Sequence, residues 1–448
     1  MRSFFQGNPY DSRFVNIRYD KASDRAVVTR CIQVDGIVDP PPDKSIAQRA
    51  ALLAAIGDGT SRLVNFPSSA DPQSTLGCLR QLGIVIEKDG EDILVHGKGL
   101  GGFSAPDAPL DCGNSGTTMR LIAGLLAGQD FDSVLTGDAS LRSRPMERVA
   151  KPLRQMGARI TLQAGCAPMR IERGPRLHGM EYRLPMPSAQ VKSCVLLAGL
   201  RAKGRTTVIE TLRSRDHTER MLNLAPREAE GVRHISVGGN PSVPARTWLV
   251  PNDFSAAAFF MVAGAVAPQG AMLLRKVGLN PTRSALLGVL EEMGARTRIA
   301  NREESGGEPV GDLHIEASPL RGVRVDGARI PLLIDEIPIL AVAGALATGR
   351  TEIRDARELR FKETDRIGAM AENLRRLGAT VEEFDDGLAV EGPTALHGNI
   401  VESRHDHRVA MAMAVAGLMA DGETIIEGAS CAAVSFPNYW ETLASVAS

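Results

Sequence analysis

Short apolar runs of small residues recur along the chain, at 50–56, 119–127, 194–200, 256–266, 339–347 and 409–419. Each run is apolar on nearly every face of a helix, which predicts helices that are buried all round rather than half-exposed. A glycine and a short β-type run follow each of them. These glycines are Gly59, Gly128, Gly204, Gly270, Gly349 and Gly422, roughly 70 to 80 residues apart. Such a period indicates an internal repeat.

A second pattern lies between these glycines, where a predicted helix closes on a glycine before another strand. It occurs at 79–83, 153–157, 290–294 and 374–378. Glycine suits the left-handed backbone conformation that ends many helices. Chance recurrence in a chain rich in Gly and Ala is the alternative, and the shared order of elements argues against it. We therefore predict an α/β protein of six repeated units, with buried helices and outer sheets.

The 448 residues are too many for one ordinary core, so we expect two domains of three repeats each. One domain would contain residues 43–251, and the other residues 31–42 plus 252–448. The hinge would lie near residues 42 and 251. A predicted strand near 26–34 would cross to the C-terminal domain. We expect residues 1–30 to form a poorly packed N-terminal extension.

Composition and charge narrow the class of protein. The formal net charge is −1, which argues against a general nucleic-acid binder but allows a local cationic pocket. The six cysteines are dispersed without a C-x-x-C pair, which indicates reduced thiols and a cytoplasmic protein. The longest apolar run, 256–267, is too short to span a bilayer. We expect no membrane or nucleic-acid partner, no metal, and a monomer.

Two predicted helix starts in the first half combine cations with free backbone N–H groups. Residues 43–49 open a helix after three prolines, and residues 111–120 form a glycine-bearing turn into another helix. Helix N-termini favour anions because their first N–H groups are unpaired and the helix dipole is positive there. The segment 142–148 adds three guanidinium groups, which suit phosphate or carboxylate. Taken singly, each segment could instead be a capped helix start or a solvated charged surface.

Polar clusters also border the predicted buried helices. Residues 188–193 and 215–220 read Ser-Ala-Gln-Val-Lys-Ser and Arg-Asp-His-Thr-Glu-Arg, which suggests the walls of a polar pocket. We expect His217 to be a structural hydrogen-bonding residue rather than a base. Asp335 and Glu336 lie inside an apolar run. Burial raises the pKa of a carboxyl group unless cations compensate, and general bases are tuned in this way.

Cations and anions alternate at 360–366, and residues 406–408 begin another predicted helix. We expect Lys362 and Arg366 to share one helix face, four residues apart, with Glu363 beside them to move a proton. Cationic helix starts thus occur in both halves, without a nucleotide motif or metal-ligand spacing. They predict a pair of anionic substrates held in a cleft between the domains.

From about residue 34 to 443, the chain resembles the 5-enolpyruvylshikimate-3-phosphate synthases. The matching motifs are Asp-Lys-Ser at 43–45, Gly-Asn-Ser-Gly-Thr at 113–117, Arg-Pro at 144–145, Lys-Glu-Thr-Asp-Arg at 362–366, Asp-His-Arg at 406–408 and Ser-Phe-Pro at 435–437. Patterns similar to the class II branch are those at 43–44, 188–192, 215–219 and 280–283. The resemblance implies a two-domain inside-out α/β barrel of the enolpyruvyl transferase type.

The resemblance also implies an activity in the shikimate pathway of aromatic amino acid biosynthesis, on the way to chorismate. The enolpyruvyl group of phosphoenolpyruvate would move to the 5-hydroxyl of shikimate 3-phosphate by addition and elimination. Phosphate would be released, and no cofactor would be needed.

Each residue that matches a family motif receives an expected role. Shikimate 3-phosphate would be held by Lys44, Ser45, Arg49, Ser188, Gln190, Arg215, Asp335 and Lys362. Phosphoenolpyruvate would be held by Lys44, Asn114, Gly116, Arg144, Gln190, Glu363, Arg366 and Arg408. Ala189 completes the expected substrate-binding set. Asp335 would take the proton of the attacking hydroxyl, Glu363 would help protonate the methylene carbon, and Lys44 would share either task.

The chain departs from the family at Pro42, where Gly is usual, and at Gln48, where His or Asn is usual. Two alternatives stay open. The sister enzyme, UDP-N-acetylglucosamine enolpyruvyl transferase, has the same fold but usually carries a reactive cysteine in the loop that here reads Gly-Asp-Ala-Ser-Leu-Arg at 137–142. The other alternative is a non-catalytic anion-binding protein of this fold, against which the intact catalytic set argues.

In this family the inhibitor glyphosate competes with phosphoenolpyruvate. Val434 removes a cation that class I members supply, which points to tolerance. Gly116 stands where some strongly tolerant class II enzymes have Ala, and it leaves room for the longer inhibitor. We expect intermediate tolerance.

Overall fold

The computed structural model describes residues 16–448, and all helices and strands below lie within that range. The α-helices are α1 (Lys44–Ala55), α2 (Ala70–Gln81), α3 (Gly116–Leu126), α4 (Ala139–Ser143), α5 (Glu147–Gln155), α6 (Ala189–Gly199), α7 (His217–Met221), α8 (Phe254–Val266), α9 (Ala285–Glu292), α10 (Ile330–Leu333), α11 (Ile337–Leu346), α12 (Arg366–Arg376), α13 (His407–Leu418) and α14 (Tyr439–Ala444). Short 3-10 helices cover Gly327–Arg329, Arg357–Phe361 and Ala429–Val434.

The strands of the first half and its N-terminal approach are β1 (Ile17–Asp20), β2 (Arg25–Thr29), β3 (Gly36–Val38), β4 (Asp58–Val64), β5 (Val85–Asp89), β6 (Asp92–Lys98), β7 (Leu110–Asp111), β8 (Ser133–Thr136), β9 (Arg159–Gln163), β10 (Cys166–Glu172), β11 (Glu181–Arg183), β12 (Arg205–Glu210), β13 (Arg227–Ala229), β14 (Val232–Gly238) and β15 (Thr247–Leu249). Those of the second half are β16 (Ala271–Gly278), β17 (Arg296–Ser305), β18 (Glu308–Glu316), β19 (Arg324–Val325), β20 (Gly349–Ile353), β21 (Thr380–Phe384), β22 (Gly387–Gly392), β23 (Ile400–Glu402) and β24 (Glu423–Glu427).

The strands form six four-stranded sheets, with the orders β15-β4-β6-β5, β7-β8-β10-β9, β11-β12-β14-β13, β17-β18-β16-β3, β19-β20-β22-β21 and β1-β2-β24-β23. Each sheet contains one strand that includes or follows a repeat glycine: β4, β8, β12, β16, β20 or β24. That strand always has one antiparallel and one parallel neighbour, as β4 has in β6 and β15. The predicted sixfold repeat of strands is therefore present.

The helices predicted from the apolar runs are α1, α3, α6, α8, α11 and α13, and they are buried at nearly every position beyond the first turn. They lie between the sheets in two separate hydrophobic clusters. One cluster contains core residues between 46 and 250. The other contains core residues at 17–38 and 254–447. Each of these helices begins two to six residues before its apolar run.

The N-terminal segment differs from the prediction. Residues 1–15 lie outside the described residues, but β1 and β2 form a hairpin whose second strand pairs with β24. Ile17, Ala26 and Val28 of this hairpin are buried in the second core. The expectation of a poorly packed extension is wrong for these strands, because they supply the sixth sheet with the hairpin that the other repeats carry after their own central strand.

Two chain segments join the halves and pair with each other at Pro42 and Asn252. The Asp43 amide donates to the Pro251 carbonyl at 2.8 Å, and the Asp253 amide donates a second flanking bond. Neither bond needs an N–H group at residue 42, so proline is tolerated there in place of the usual glycine. Within residues 16–448, the structure contains no helix long and apolar enough to cross a membrane.

Candidate active site

The N-terminal ends of core helices meet at a cavity of about 180 Å³ between the two halves. Residues from the first turns or caps of α1, α3, α6, α12 and α13 line it. Because helix N-termini present unpaired N–H groups and a positive dipole end, their convergence favours anionic ligands. The cavity therefore has the electrostatic character that the cationic helix starts predict.

Side-chain caps shape these helix ends. Asp43, Ser115, Ser188 and Asp406 each accept a hydrogen bond from a backbone N–H group two or three residues later. This bond satisfies one of the unpaired N–H groups of the first turn and fixes where the helix begins. The Ser188 hydroxyl still has its own proton to donate to a ligand.

The structure brings all predicted substrate-binding and catalytic residues to this one cavity: Lys44, Ser45, Arg49, Asn114, Gly116, Arg144, Ser188, Ala189, Gln190, Arg215, Asp335, Lys362, Glu363, Arg366 and Arg408. Further cations on the wall are Arg120, Arg148 and Arg283. Carboxylates are fewer: Asp71, Asp335, Glu358 and Glu363. The wall thus has an excess of positive charge, while the individual roles of its residues stay predictions.

Lys44 is oriented by a carboxylate that the sequence prediction missed. Its Nζ lies 3.1 Å from Asp71 Oδ2, and both side chains are largely buried. Asp71 belongs to the first turn of α2, in a segment without a recognisable motif. Only the packing of α2 against α1 reveals this contact, so no local signal could have found it.

Asn114 and Arg144 are tied together on the first-half wall. Arg144 Nη2 donates to Asn114 Oδ1 at 2.7 Å, and Asn114 Nδ2 donates to Asp138 Oδ2 at 2.7 Å. Arg144 also reaches across the cavity, where its Nη1 lies 3.9 Å from Glu363 Oε1. The amide thus orients a guanidinium group that faces the second half.

Arg120 is a largely buried part of this wall, and its Nη1 donates to Gln190 Oε1 at 2.8 Å. Burial, together with the nearby Arg148 and Arg144, lowers the pKa of Arg120 to about 9. Such crowding of cations costs free energy in the absence of a counter-ion. An anion bound in the cavity would offset it.

Asp335 is surrounded by cations from both halves. Arg215 Nη2 donates to its Oδ2 at 2.6 Å, and Arg366 Nη1 donates to its Oδ1 at 3.1 Å. Burial alone would raise the pKa of this carboxyl group. The neighbouring cations lower that pKa well below its usual range, and they are Arg408, Arg215, Lys362 and Arg366. Asp335 is therefore ionised.

Glu363 is also surrounded by cations. Burial would raise its pKa, but the charges of Arg366, Arg144 and Lys44 bring it below its usual value. Arg366 Nη2 donates to Glu363 Oε2 at 2.6 Å. The imidazole of His407 is neutral, because burial and the nearby Lys44 lower its pKa well below the usual value. The cavity thus contains ionised carboxylates among cations.

The expectation that Lys362 and Arg366 share a helix face is wrong. The 3-10 helix Arg357–Phe361 ends before Lys362, and α12 begins only at Arg366, after the capping residue Asp365. Both cations nevertheless approach Asp335 Oδ1, at 4.0 Å for Lys362 Nζ and 3.1 Å for Arg366 Nη1. The loop that precedes α12, rather than helix geometry, brings them together.

His217 makes the structural hydrogen bond predicted for it, and the expectation that it is not a base stays a prediction. Its buried ring lies with Nδ1 2.8 Å from Glu308 Oε1 in the other half.

Arg283 ends the family pattern at 280–283, for which the sequence predicts no role, yet it is buried among carboxylates. Its guanidinium group lies 3.1 Å from Asp253 and 3.6 Å from Asp335. The sequence Asn-Pro-Thr-Arg contains no pattern that predicts burial of its arginine among carboxylates.

Comparison with known proteins places the chain in a family. The model of the family described as EPSP synthase (3-phosphoshikimate 1-carboxyvinyltransferase) matches residues 28–443. The chain belongs to the EPSP synthase family. A 3-phosphoshikimate 1-carboxyvinyltransferase of Salinibacter ruber is 58% identical over 424 residues, which are 94% of this chain and 98% of the relative.

Solved structures agree with this membership in the EPSP synthase family. The EPSP synthase from Acinetobacter baumannii has a TM-score of 0.84 at 41% identity, covering 94% of this chain and 98% of that one. The enolpyruvyl transferase NikO from Streptomyces tendae has a TM-score of 0.76 at 19% identity, covering 95% and 98%, which shows a shared fold. The predicted family, the inside-out α/β fold and the enzyme class are confirmed.

Two further observations bear on this EPSP synthase family member. Among the described residues, those that line the cavity include no cysteine, so the wall lacks the reactive thiol usual in the sister enzyme. Within the same range, the structure has no group of three or more His, Cys, Asp or Glu side chains that could hold a metal ion.

Proposed function

We propose that this cavity transfers the enolpyruvyl group of phosphoenolpyruvate to the 5-hydroxyl of shikimate 3-phosphate and releases phosphate. The observation that carries the proposal is the pair of ionised carboxylates, Asp335 and Glu363, within one cationic cavity of an EPSP synthase family member. Proton acceptors beside fixed cations suit a reaction between polyanions, because the charge that develops meets groups already in place.

The two substrates would occupy different parts of the wall. The acceptor phosphate would meet Arg215 and Lys362, next to the start of α6 with Ser188, Ala189 and Gln190. Phosphoenolpyruvate would meet Arg144, Arg366 and Arg408, next to the start of α3 with Asn114 and Gly116. Lys44 would contact both substrates. Arg49, with Ser45 one turn before it on α1, would add positive charge on the acceptor side.

The reaction would proceed by addition and elimination. In the addition step, the 5-hydroxyl oxygen bonds to C2 of phosphoenolpyruvate while Asp335 takes the hydroxyl proton, and Glu363, protonated once the anions are bound, gives its proton to C3 with help from Lys44. In the elimination step, Glu363 takes a proton back from the methyl carbon of the tetrahedral intermediate and the bond from C2 to the phosphate oxygen breaks. The released phosphate carries away the proton that Asp335 took. Bound anions would offset the cations that lower the pKa of Glu363, so that this carboxyl can hold the transferred proton.

We propose that the halves, 43–251 and 31–42 plus 252–448, move about the paired segments at Pro42 and Asn252. Anions that contact both halves would favour a closed state, because they bind that state more tightly.

We further propose that the protein is a monomer and that its location is cytoplasmic. The second is supported by the six free thiols, since all cysteines lie in the described residues without a disulfide.

Phosphate release by the purified enzyme tests the activity. Phosphoenolpyruvate is supplied with shikimate 3-phosphate, with UDP-N-acetylglucosamine, or alone, and the product is identified by mass spectrometry. We expect release and an enolpyruvyl product with shikimate 3-phosphate only. Release with the nucleotide sugar alone would indicate the sister activity. Binding of both anions without any product would indicate a non-catalytic protein.

A further inference from the structure

A fully buried lysine lies behind the acceptor side of the cavity. Lys192, in the second turn of α6, is 0% exposed, and its Nζ lies 2.9 Å from Glu210 Oε1 and 2.8 Å from Glu219 Oε1. Arg233 Nη1 lies 3.1 Å from the other oxygen of Glu210. We call these four residues the Lys192 cluster. Its charges balance, and none of its members lines the cavity wall within the described residues.

The cluster fixes one residue of the loop between β12 and α7. Glu210 Oε1 accepts from the Ser214 amide at 2.7 Å and from the Ser214 hydroxyl at 2.5 Å. Lys192 Nζ donates to the Ser214 carbonyl oxygen at 3.3 Å. All three polar groups of Ser214 are therefore held by buried charges. Glu219 belongs to α7, so the cluster also fixes the helix into which the loop runs.

Arg215 follows Ser214 directly. Its Nη2 contacts Asp335 across the cavity, while its Nε is buried and has no hydrogen-bond partner within the described residues. A long arginine side chain on an irregular loop loses much conformational freedom when it is held in one direction. The Ser214 backbone determines that direction, because it sets the position and orientation of the next Cα.

We infer that Lys192 is a positioning residue for the acceptor substrate, which acts through Ser214 and Arg215. Arg215 is the proposed partner of the acceptor phosphate, so the inference rests on the proposed function. Buried ion pairs are weak contributors to stability, because desolvation offsets their attraction. A cluster that served only stability could be apolar. The hydrogen bonds of this one converge on the residue before Arg215, which a positioning role explains.

Steady-state kinetics of Lys192→Met test the inference. We expect the KM for shikimate 3-phosphate to rise about tenfold, with the KM for phosphoenolpyruvate and kcat changed less than about threefold, since a small displacement of one binding group acts on its own ligand. Ser214 is itself part of the cavity wall, and Ser214→Ala removes its hydroxyl contact to Glu210 while it retains the charge balance. It should raise the same KM by about threefold, and it keeps the test valid if Lys192→Met does not fold.

A double-mutant cycle with Arg215→Gln separates positioning from general destabilisation. If Lys192 or Ser214 acts through Arg215, the substitution should change the KM for shikimate 3-phosphate less than about twofold in the Arg215→Gln background. The inference would be overturned if the fold-changes of the single substitutions simply multiply in the double variants. It would also be overturned if the KM values for shikimate 3-phosphate and for phosphoenolpyruvate rise equally. Arg201→Met is the matched control. Arg201 follows α6 at its other end, where it donates to Gln129 and Leu100.

Calorimetric binding of shikimate 3-phosphate to the same variants distinguishes the two proposals. If the wild-type protein binds and converts shikimate 3-phosphate but the effects of the substitutions multiply, the positioning role is contradicted and the proposed function is not. Wild-type protein that neither binds nor converts it would contradict the proposed function and, with it, this inference.

Discussion

Arg215 Nη2 in the first half lies 2.6 Å from Asp335 Oδ2 in the second half, so one ion pair spans the cavity. Both side chains are largely buried, which strengthens their attraction relative to water. The phosphate proposed to bind Arg215 would compete with this carboxylate for the guanidinium group. Binding of the acceptor would then replace a contact between the halves by a bridge through the ligand.

Solution scattering should detect that bridge. We expect saturating shikimate 3-phosphate to reduce the radius of gyration, because its anionic groups meet cations of both halves. The Arg215→Gln variant should show a smaller reduction at saturating ligand. A scattering profile that does not change for the wild type would contradict the movement of the halves.

Substitution of Glu363 by glutamine should abolish turnover without unfolding the protein. The amide retains the shape of the side chain but cannot move a proton, so we expect kcat to fall on the order of 10²-fold or more. Glu372→Gln is the control, because Glu372 lies on the same helix, α12, and pairs with Arg376 at the surface. A Glu363→Gln enzyme within a few-fold of wild type would remove this residue from the mechanism.

His407 should make stability depend on pH below its ordinary pKa. Since burial lowers the pKa of His407 well below 6.5, the unfolded chain takes up a proton near that pH that the folded protein does not. The free energy of unfolding should therefore decrease as the pH falls below about 6.5, with a slope of up to about 1.4 kcal/mol per pH unit from this group.

Urea unfolding of wild type and His407→Gln at pH 7.5 and 5.5 checks this slope. The variant should lose less stability than wild type between these two pH values. Asp335 and Glu363 affect stability in a lower pH range. Because their pKa values are lowered in the folded protein, the stability that they add is lost only when the pH falls below about 4. An equal loss in wild type and variant would contradict a neutral His407.

Substitution of Gly116 by alanine should discriminate between glyphosate and phosphoenolpyruvate. A Cβ atom at Gly116 would lie 2.7 Å from Arg120 Nη1 and 3.6 Å from Arg144 Nη1. The flexible end of Arg120 can move aside, but the added methyl group narrows the anion site and penalises the longer ligand more. We expect the glyphosate inhibition constant to rise more than the KM for phosphoenolpyruvate.

Gly288→Ala is a matched control for this pair of constants. A Cβ atom at Gly288, on α9, would meet no other atom within 4 Å, so neither constant should change. Equal increases of the two constants in Gly116→Ala would contradict the steric argument.

Much of the fold could be predicted because its signals are local. A stretch of about a dozen residues is enough to recognise an all-apolar helix such as α8 or the glycine before β16. The same order of helix, glycine and strand recurs through the chain. The sequence predicts a strand near 26–34 that crosses to the C-terminal domain, and β2 does pair there with β24. The hairpin with β1 and the choice of β24 as partner could not be predicted, since β24 lies near the other end of the sequence. Nothing in its own residues indicates that partner.

The sequence by itself determined the repeats, the cationic helix starts and the family motifs, all of which are patterns of neighbouring residues. Only the tertiary structure decided which charges meet. Arg215 and Asp335 are separated by 120 positions, and Lys44 and Asp71 by 27, yet each pair forms one contact. The physical reason is that an ionic contact depends on distance and burial in space, which the packing of the helices and the two halves sets.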